Sequence, residues 1–158
     1  MFKIFITRQI PAAGIKLLRQ KGYEVKISPY DRILKQAEIV KMGHGSAALL
    51  RLLTDKIDGK VMDGIGPQLK IVANYAVGFD NIDLKAAQER KIMVANTPEV
   101  VTETVAEHTI ALLFALTRRI VEADKFIRAG KYKGWAPMLF LGSDIVGKTL
   151  GIVGFGRI

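Results

Sequence analysis

Short apolar stretches alternate with amphipathic stretches over the first hundred residues of the chain. This alternation is typical of a parallel β-sheet whose strands are joined by crossover helices. The apolar stretches predict five strands, at residues 2–7, 23–28, 47–53, 69–76 and 91–97. The amphipathic stretches predict helices at residues 11–22, 31–42 and 84–90. The pattern therefore predicts an α/β fold built on one parallel sheet.

Local signals support these boundaries. Pro11 stands where the first helix would begin, a position that tolerates proline, and Gly22 stands where that helix would end. In the second helical stretch Ile33, Leu34 and Val40 lie at helical spacing. Five strands in this order within about a hundred residues predict a flavodoxin-like layer, which we take as one domain over residues 1–98.

The hydrophobic pattern of the sequence changes after Pro98. A helical pattern runs from Pro98 to about Gly130, with Thr104 and Glu107 spaced as a capping box near its start. The middle of the pattern is apolar on every side, so we expect this helix to be buried against its own domain and a second domain or subunit. A last strand is predicted at residues 148–155.

Composition narrows the classes of function. The chain has 158 residues, a formal net charge of +9 and no cysteine. The lack of cysteine excludes disulfides, thiolate zinc sites and a cysteine nucleophile, and no other metal site is predicted. The positive charge is spread along the chain, which suits small anionic ligands and predicts no nucleic-acid partner. No stretch is long and apolar enough for a secretion signal or a membrane span, so we expect a cytoplasmic protein.

The sequence GIVGFGRI, at residues 151–158, contains most of a dinucleotide-binding fingerprint. Such a fingerprint has the form G-x-G-x-x-G directly after a strand, and Gly154 and Gly156 supply its first two glycines. The helix and the acidic residue that complete the fingerprint lie outside this sequence. Taken alone, the stretch fits a cofactor loop and an ordinary strand–turn equally well.

The sequence ANYAVGFDNID, at residues 73–83, places a glycine directly after a predicted strand. We expect Gly78 to adopt a positive φ, so that successive backbone N–H groups turn inward and hold a carboxylate. Asp80 and Asp83 are predicted to act as turn and helix-capping residues. His44 and His108 are predicted to be structural, because neither has a partner that would orient a proton.

Taken together, these motifs resemble the D-isomer-specific 2-hydroxyacid dehydrogenases, in particular their glyoxylate/hydroxypyruvate reductase branch. The resemblance rests on the order and spacing of the stretches IFITR, LLTDKID, IVANYAVGFDNID, NTPEVVTETVAEHTIALLFAL, GWAPMLFLG and GKTLGIVGFGRI. It implies that residues 1–98 form the substrate domain and residues 99–158 begin a Rossmann domain that binds NAD or NADP. The cofactor choice stays open, because the residue that selects the ribose is not in this sequence.

The resemblance also implies site residues. Those implied at the substrate are Leu53, Val77 and Gly78, and those implied at the cofactor are Val101, Val105, Gly154, Gly156, Arg157 and Ile158. No catalytic residue is expected among the 158, because the arginine, glutamate and histidine of the family follow the phosphate loop. The helix at residues 100–129 would form a homodimer interface.

The resemblance therefore predicts the N-terminal portion of an enzyme that reduces glyoxylate or hydroxypyruvate to a D-2-hydroxy acid. The 158-residue chain by itself is expected to be inactive. The alternative is a short non-enzymatic protein, derived from this family, that acts by dimerisation or interaction.

Overall fold

The computed structural model describes residues 1–158, which form two compact units. The first unit comprises Met1–Pro98 and the second comprises Glu99–Ile158. Glu99 adopts a left-handed conformation with a φ of 72°, which is uncommon for a residue with a side chain.

The first unit is built on a five-stranded parallel sheet, which confirms the predicted α/β fold. The strands are β1 (Lys3–Ile6), β2 (Glu24–Ile27), β3 (Ala48–Arg51), β4 (Ile71–Asn74) and β5 (Met93–Ala95). Their order in the sheet is β2-β1-β3-β4-β5, the flavodoxin-like order. All five predicted strands are present, each shorter than its apolar stretch, and β4 and β5 have half the predicted length or less.

Four helices connect these strands: α1 (Ala12–Gln20), α2 (Gln36–Gly43), α3 (Gly59–Ile65) and α4 (Leu84–Glu89). Helix α2 begins five residues later than predicted, so that Leu34 is buried outside the helix and Ile33 is exposed. Helix α3 was not predicted, because its sequence GKVMDGI contains two glycines, which disfavour helices. It is stabilised at its start by Asp58, whose side chain accepts a hydrogen bond from the Val61 amide at 3.0 Å.

Two apolar clusters hold the first unit together. Phe5 and Leu49 belong to the larger cluster, whereas Ile4 and Ile6 belong to the smaller one. Because side chains alternate along a strand, neighbouring residues of β1 enter different clusters on opposite faces of the sheet. The central strands of the sheet are therefore covered on both sides, as expected for parallel strands.

The second unit contains two helices, α5 (Thr102–Thr117) and α6 (Ile120–Arg128). The single long helix predicted from Pro98 to Gly130 is therefore wrong, and so is the capping box, because Thr104 and Glu107 lie inside α5. The break falls at Arg119, which has a left-handed φ of 55°. A left-handed residue interrupts helical hydrogen bonding, and the apolar pattern that continues across it conceals the break.

The predicted strand at residues 148–155 is also wrong, because these residues form neither strand nor helix. A strand needs a hydrogen-bonded neighbour, and this segment pairs with none of the five strands. No residue of α5 or α6 is buried within the chain, so the expected burial of the apolar helix is not met here. None of the helices combines the length and the apolar character needed to cross a membrane.

Candidate substrate site

Polar side chains stand at the carboxyl ends of four neighbouring strands. Arg51 and Asn74 are the last residues of β3 and β4, and Thr7 and Asn96 follow directly after β1 and β5. In open parallel sheets this edge is where ligands bind. The predicted substrate residues Leu53, Val77 and Gly78 follow β3 and β4, so they lie at the same edge.

The loop after β4 has its carbonyl groups occupied. The Asn96 side chain donates to the Val77 carbonyl at 2.8 Å, and the Asn74 side chain donates to the Gly78 carbonyl. The Thr97 amide donates to the Ala76 carbonyl at 3.0 Å. The amides of Val77 and Gly78, in contrast, donate to no group of the chain, and both residues are exposed. Such amides are available to an anion.

The prediction of a positive φ for Gly78 is wrong, because Gly78 is not one of the glycines with a left-handed backbone. The asparagine side chains explain the difference. They fix the carbonyl groups directly, so no left-handed turn is needed to leave the amides free. A Cβ atom on Gly78 would meet nothing nearer than the Asp80 carboxylate at 4.0 Å, so neither backbone strain nor a clash demands a glycine here.

The loop after β3 is fixed by Asp55, which is buried. Its carboxylate accepts hydrogen bonds from the Thr7 hydroxyl at 2.6 Å and from the Leu52 amide at 3.1 Å. The Asp55 amide returns a hydrogen bond to the Leu52 carbonyl at 3.0 Å. Leu53 lies within this turn with 63% of its surface exposed, and its amide donates to no group of the chain.

Asn81 connects the two loops. Its side chain donates to the Leu53 carbonyl and, at 3.0 Å, to the Asp55 carbonyl. Since Asn81 follows Gly78 by three residues, this bond holds the loop of Leu53 against the segment that carries Val77 and Gly78. The structure thus brings the three predicted substrate residues to one region of the first unit.

A buried charge lies beneath this region. Burial lowers the pKa of the Arg51 guanidinium, and the negative charge of Asp55 partly opposes that shift. An arginine stays protonated despite such a shift, so Arg51 carries a positive charge inside the fold. The loop residues 75–79, with the sequence YAVGF, are exposed apart from the half-buried Ala76 and carry no charge themselves.

The residues predicted at the cofactor belong to the second unit. Val101 precedes α5 and accepts a hydrogen bond from the Val105 amide at 2.9 Å, while Arg157 pairs with Glu99. Gly154 has the positive φ expected of a tight turn, 86°, whereas Gly156 does not. Gly154, Gly156 and Ile158 are exposed, and residues 148–153 before them form no strand. These residues do not by themselves form a cradle for a dinucleotide.

The asparagines that organise the site were not predicted from the sequence. Asn74 and Asn96 each stand at the carboxyl end of a strand, in the stretches VANYA and VANTP, and this recurrence was the available signal. Asp83 was correctly predicted as a cap, because its side chain accepts from the Ala86 amide at 2.9 Å. Both histidines are exposed. Only the His44 side chain has a hydrogen-bond partner within the chain, the Gly64 carbonyl at 3.1 Å.

The strand order and the ligand edge define a flavodoxin-like α/β protein. Comparison with known families is more specific, since the sequence model for the D-isomer specific 2-hydroxyacid dehydrogenase catalytic domain matches residues 4–146. The chain therefore belongs to the D-isomer specific 2-hydroxyacid dehydrogenases. This confirms the family resemblance seen in the sequence.

Individual relatives agree with this assignment. The chain is 46% identical to the glyoxylate reductase of Thermococcus gammatolerans, an alignment that covers 99% of the chain and 47% of the relative. Among solved structures, it is similar to the TT0316 protein of Thermus thermophilus, with a TM-score of 0.92 and 43% identity, over 99% of the chain and 50% of that protein.

A protein of Polaromonas sp. JS6 66, assigned to the NAD-binding D-isomer specific 2-hydroxyacid dehydrogenases, has a TM-score of 0.91 and 34% identity, over 99% of the chain and 49% of that protein. The chain thus spans about half the length of the relatives that it matches.

Proposed function

We propose that this chain is the N-terminal portion of an NAD(P)-dependent oxidoreductase that reduces glyoxylate or hydroxypyruvate to a D-2-hydroxy acid. The family membership and the names of the relatives support the reaction class. The observation in the chain itself that carries the proposal is the set of free amides at Leu53, Val77 and Gly78. Free amides on a fixed backbone suit a carboxylate, the group that all 2-oxo acids share.

The role of the chain in this reaction is to bind and orient the substrate. The amides of Val77 and Gly78 would hold the carboxylate, because Asn74 and Asn96 keep the neighbouring carbonyl groups occupied. Leu53 would offer an apolar contact from the adjacent loop. Fixing the carboxylate at two amides restricts the orientation of the attached carbonyl, which is the contribution that positioning makes to catalysis.

The remaining functions require residues that this chain does not contain. The family resemblance places the catalytic arginine, glutamate and histidine after Ile158. Gly154, Gly156, Arg157 and Ile158 would join the phosphate loop, with Val101 and Val105 towards the nicotinamide, and the bound NAD or NADP would supply the hydride. We therefore expect the 158-residue chain to reduce no substrate. A cytoplasmic location stays a prediction.

We also propose a homodimer that uses helices α5 and α6. Large apolar side chains on these helices are exposed, among them Leu112 at 57% and Leu116 at 78%. Water contact with so much apolar surface is unfavourable, and a second copy would remove it. The same surface is what the alternative function would use, that of a short protein acting by interaction alone.

The decisive experiment completes the chain. Residues 1–158 are fused to the part of the Thermococcus gammatolerans glyoxylate reductase that follows the aligned segment. The fusion is assayed with glyoxylate and hydroxypyruvate, with NADH and NADPH. We expect reduction by the fusion and by the relative itself, and none by the 158-residue chain. Reduction by the short chain, or a folded fusion that reduces neither substrate, would contradict the proposal.

One substitution in the fusion tests the substrate residues. Gly78→Ala needs no left-handed backbone and meets no close atom, so the fold is expected to be unchanged. The added methyl group stands beside the amide that would hold the carboxylate, so KM should rise by about tenfold. The matched control is Gly14→Ala in α1, where the added Cβ would meet only the Ile10 side chain at 3.5 Å. This substitution should leave KM unchanged.

A further inference from the structure

Arg51 occupies an unusual place for a charged side chain. It ends β3, none of its surface is exposed, and it lies on the same face of the sheet as the core residue Leu49. Arginines are seldom fully buried unless an acidic partner compensates their charge. The position therefore calls for an explanation in terms of what the guanidinium contacts.

The guanidinium has fewer partners than it can use. Its Nε donates to the Leu52 carbonyl at 2.9 Å, while both Nη atoms are buried without an acceptor. Asp55 is the carboxylate whose negative charge acts on the guanidinium. Its carboxylate already accepts hydrogen bonds from the Thr7 hydroxyl and the Leu52 amide. Buried donors without acceptors are unfavourable, so stability alone does not account for an arginine at this position.

Asn74 stands beside Arg51 and lacks a hydrogen-bond donor for its side-chain oxygen, whereas Arg51 lacks acceptors. The two residues are paired in the register of β3 and β4, and their side chains share one face of the sheet. Asn74 is 3% exposed, its Nδ2 donates to the Gly78 carbonyl, and its Oδ1 is buried without a donor. Two adjacent side chains thus each hold one carbonyl group, one in the loop of Leu53 and one in the loop of Gly78.

We propose that Arg51 is a positioning residue which, together with Asn74, fixes the two backbone segments that carry Leu53 and Gly78. The inference rests on the proposed function, because those segments are the substrate loops. The Arg51 side chain fixes the first segment through the Leu52 carbonyl, and the Asn74 side chain fixes the second through the Gly78 carbonyl. Its charge also makes the region beneath the uncharged loop 75–79 favourable for an anion.

The proposal separates stability from substrate binding. If Arg51 served only the fold, replacing it would destabilise the chain. If it serves the loops, an apolar side chain of similar length should leave stability unchanged or raise it, because two unpaired donors disappear. Arg51→Met tests this difference directly. Arg51→Lys keeps the charge and one possible donor to Leu52, and Leu49→Ala disturbs the same strand and face without touching a polar group.

The first measurement uses the 158-residue chain. Amide hydrogen exchange is followed at Asp55 and Thr97, which donate to carbonyls in the two loops, and at Val72 in the core, together with the thermal midpoint. In Arg51→Met we expect exchange at Asp55 to accelerate about tenfold, while exchange at Thr97 and Val72 and the thermal midpoint are unchanged or more stable, because the Arg51 side chain bonds only the loop of Leu53. Exchange at Asp55 in Arg51→Lys should lie between the rates of the unsubstituted chain and Arg51→Met. Leu49→Ala should leave exchange at Asp55 unchanged, while it accelerates exchange at Val72 and lowers the midpoint. Unchanged exchange at Asp55, a lowered midpoint or a failure of Arg51→Met to fold would each overturn the proposal.

The second measurement uses the fusion described above. Arg51→Met should raise KM for glyoxylate by about tenfold with kcat within about twofold, and Arg51→Lys should recover part of the loss. An unchanged KM would overturn the role in substrate binding. Should the unsubstituted fusion reduce no 2-oxo acid, the proposed function fails, and the exchange data still decide whether Arg51 fixes the loops.

Discussion

Glu38 joins the first turn of α2 to the segment before it. Its carboxylate accepts hydrogen bonds from the Arg32 guanidinium at 2.7 and 2.9 Å and from the Lys35 amide at 2.8 Å. These donors, Arg32 foremost, lower the pKa of Glu38 from 4.5 to about 2. The negative charge also lies at the start of a helix, where it is favourable.

The pH dependence of this interaction has a definite sign. Because the pKa is lower in the folded state, Glu38 stabilises the fold above its ordinary pKa and loses that effect as the pH falls towards 2. We expect Glu38→Gln to have a lower urea midpoint than the unsubstituted chain at about pH 6, and the two midpoints to converge near pH 2. Equal midpoints at both pH values would contradict the prediction. Arg32→Met is the control background, in which the substitution should have a smaller effect.

At this scale the sequence predicts caps better than it predicts the candidate site. Asp83 could be identified because a cap and the amide that it binds are close in sequence. Asn96 binds a carbonyl nineteen residues away, across two neighbouring strands, so its role depends on the strand order. The placement of Leu53, Val77 and Gly78 in one region came from the family resemblance, and their role in binding stays a prediction.

The helices and strands differ in how well the hydrophobic pattern predicts them. The central strands β1, β3 and β4 contain buried residues and give short apolar stretches, whereas the edge strands β2 and β5 contain none but keep apolar residues such as Val25 and Val94. Helix α3 escaped detection because Asp58 and the packing of Val61, Met62 and Ile65 outweigh its two glycines. Residues 148–155 have the composition of a strand, but strand formation depends on a partner that the pattern cannot reveal.

Helix α5 is the element whose surface predicts an assembly. We expect the chain to self-associate at micromolar concentration, because the exposed apolar residues of α5 would leave water in a dimer. Leu112→Gln removes one such residue with little change in helix propensity, and it should shift the sedimentation profile towards the monomer. Leu17→Gln in α1 is the matched control, since Leu17 and Leu112 are equally exposed, at 57%.

Two experimental results would contradict the dimer prediction. An unsubstituted chain that sediments as a monomer at this concentration would show that α5 tolerates water. Equal weakening by Leu17→Gln and Leu112→Gln would show that association depends on general surface hydrophobicity and not on α5. Self-association that persists in a folded but inactive fusion would favour the alternative function, a protein that acts by interaction.

At the scale of the whole molecule, stability is concentrated in the first unit. Both apolar clusters and the complete sheet lie within Met1–Pro98, whereas the second unit contains no buried residue. Since burial of apolar surface is the main source of folding free energy, nearly all of that free energy should come from residues 1–98. The second unit by itself has helices but no core that would make its unfolding cooperative.

Two shortened chains test this distribution. Residues 1–98 should fold alone and unfold cooperatively, with a midpoint within about 4 °C of the whole chain, a difference worth about 1 kcal/mol in a domain of this size. Residues 99–158 should show a broad, non-cooperative loss of helix. Circular dichroism followed during heating measures both. An unfolded 1–98 chain, or a midpoint far below that of the whole chain, would contradict this distribution of stability.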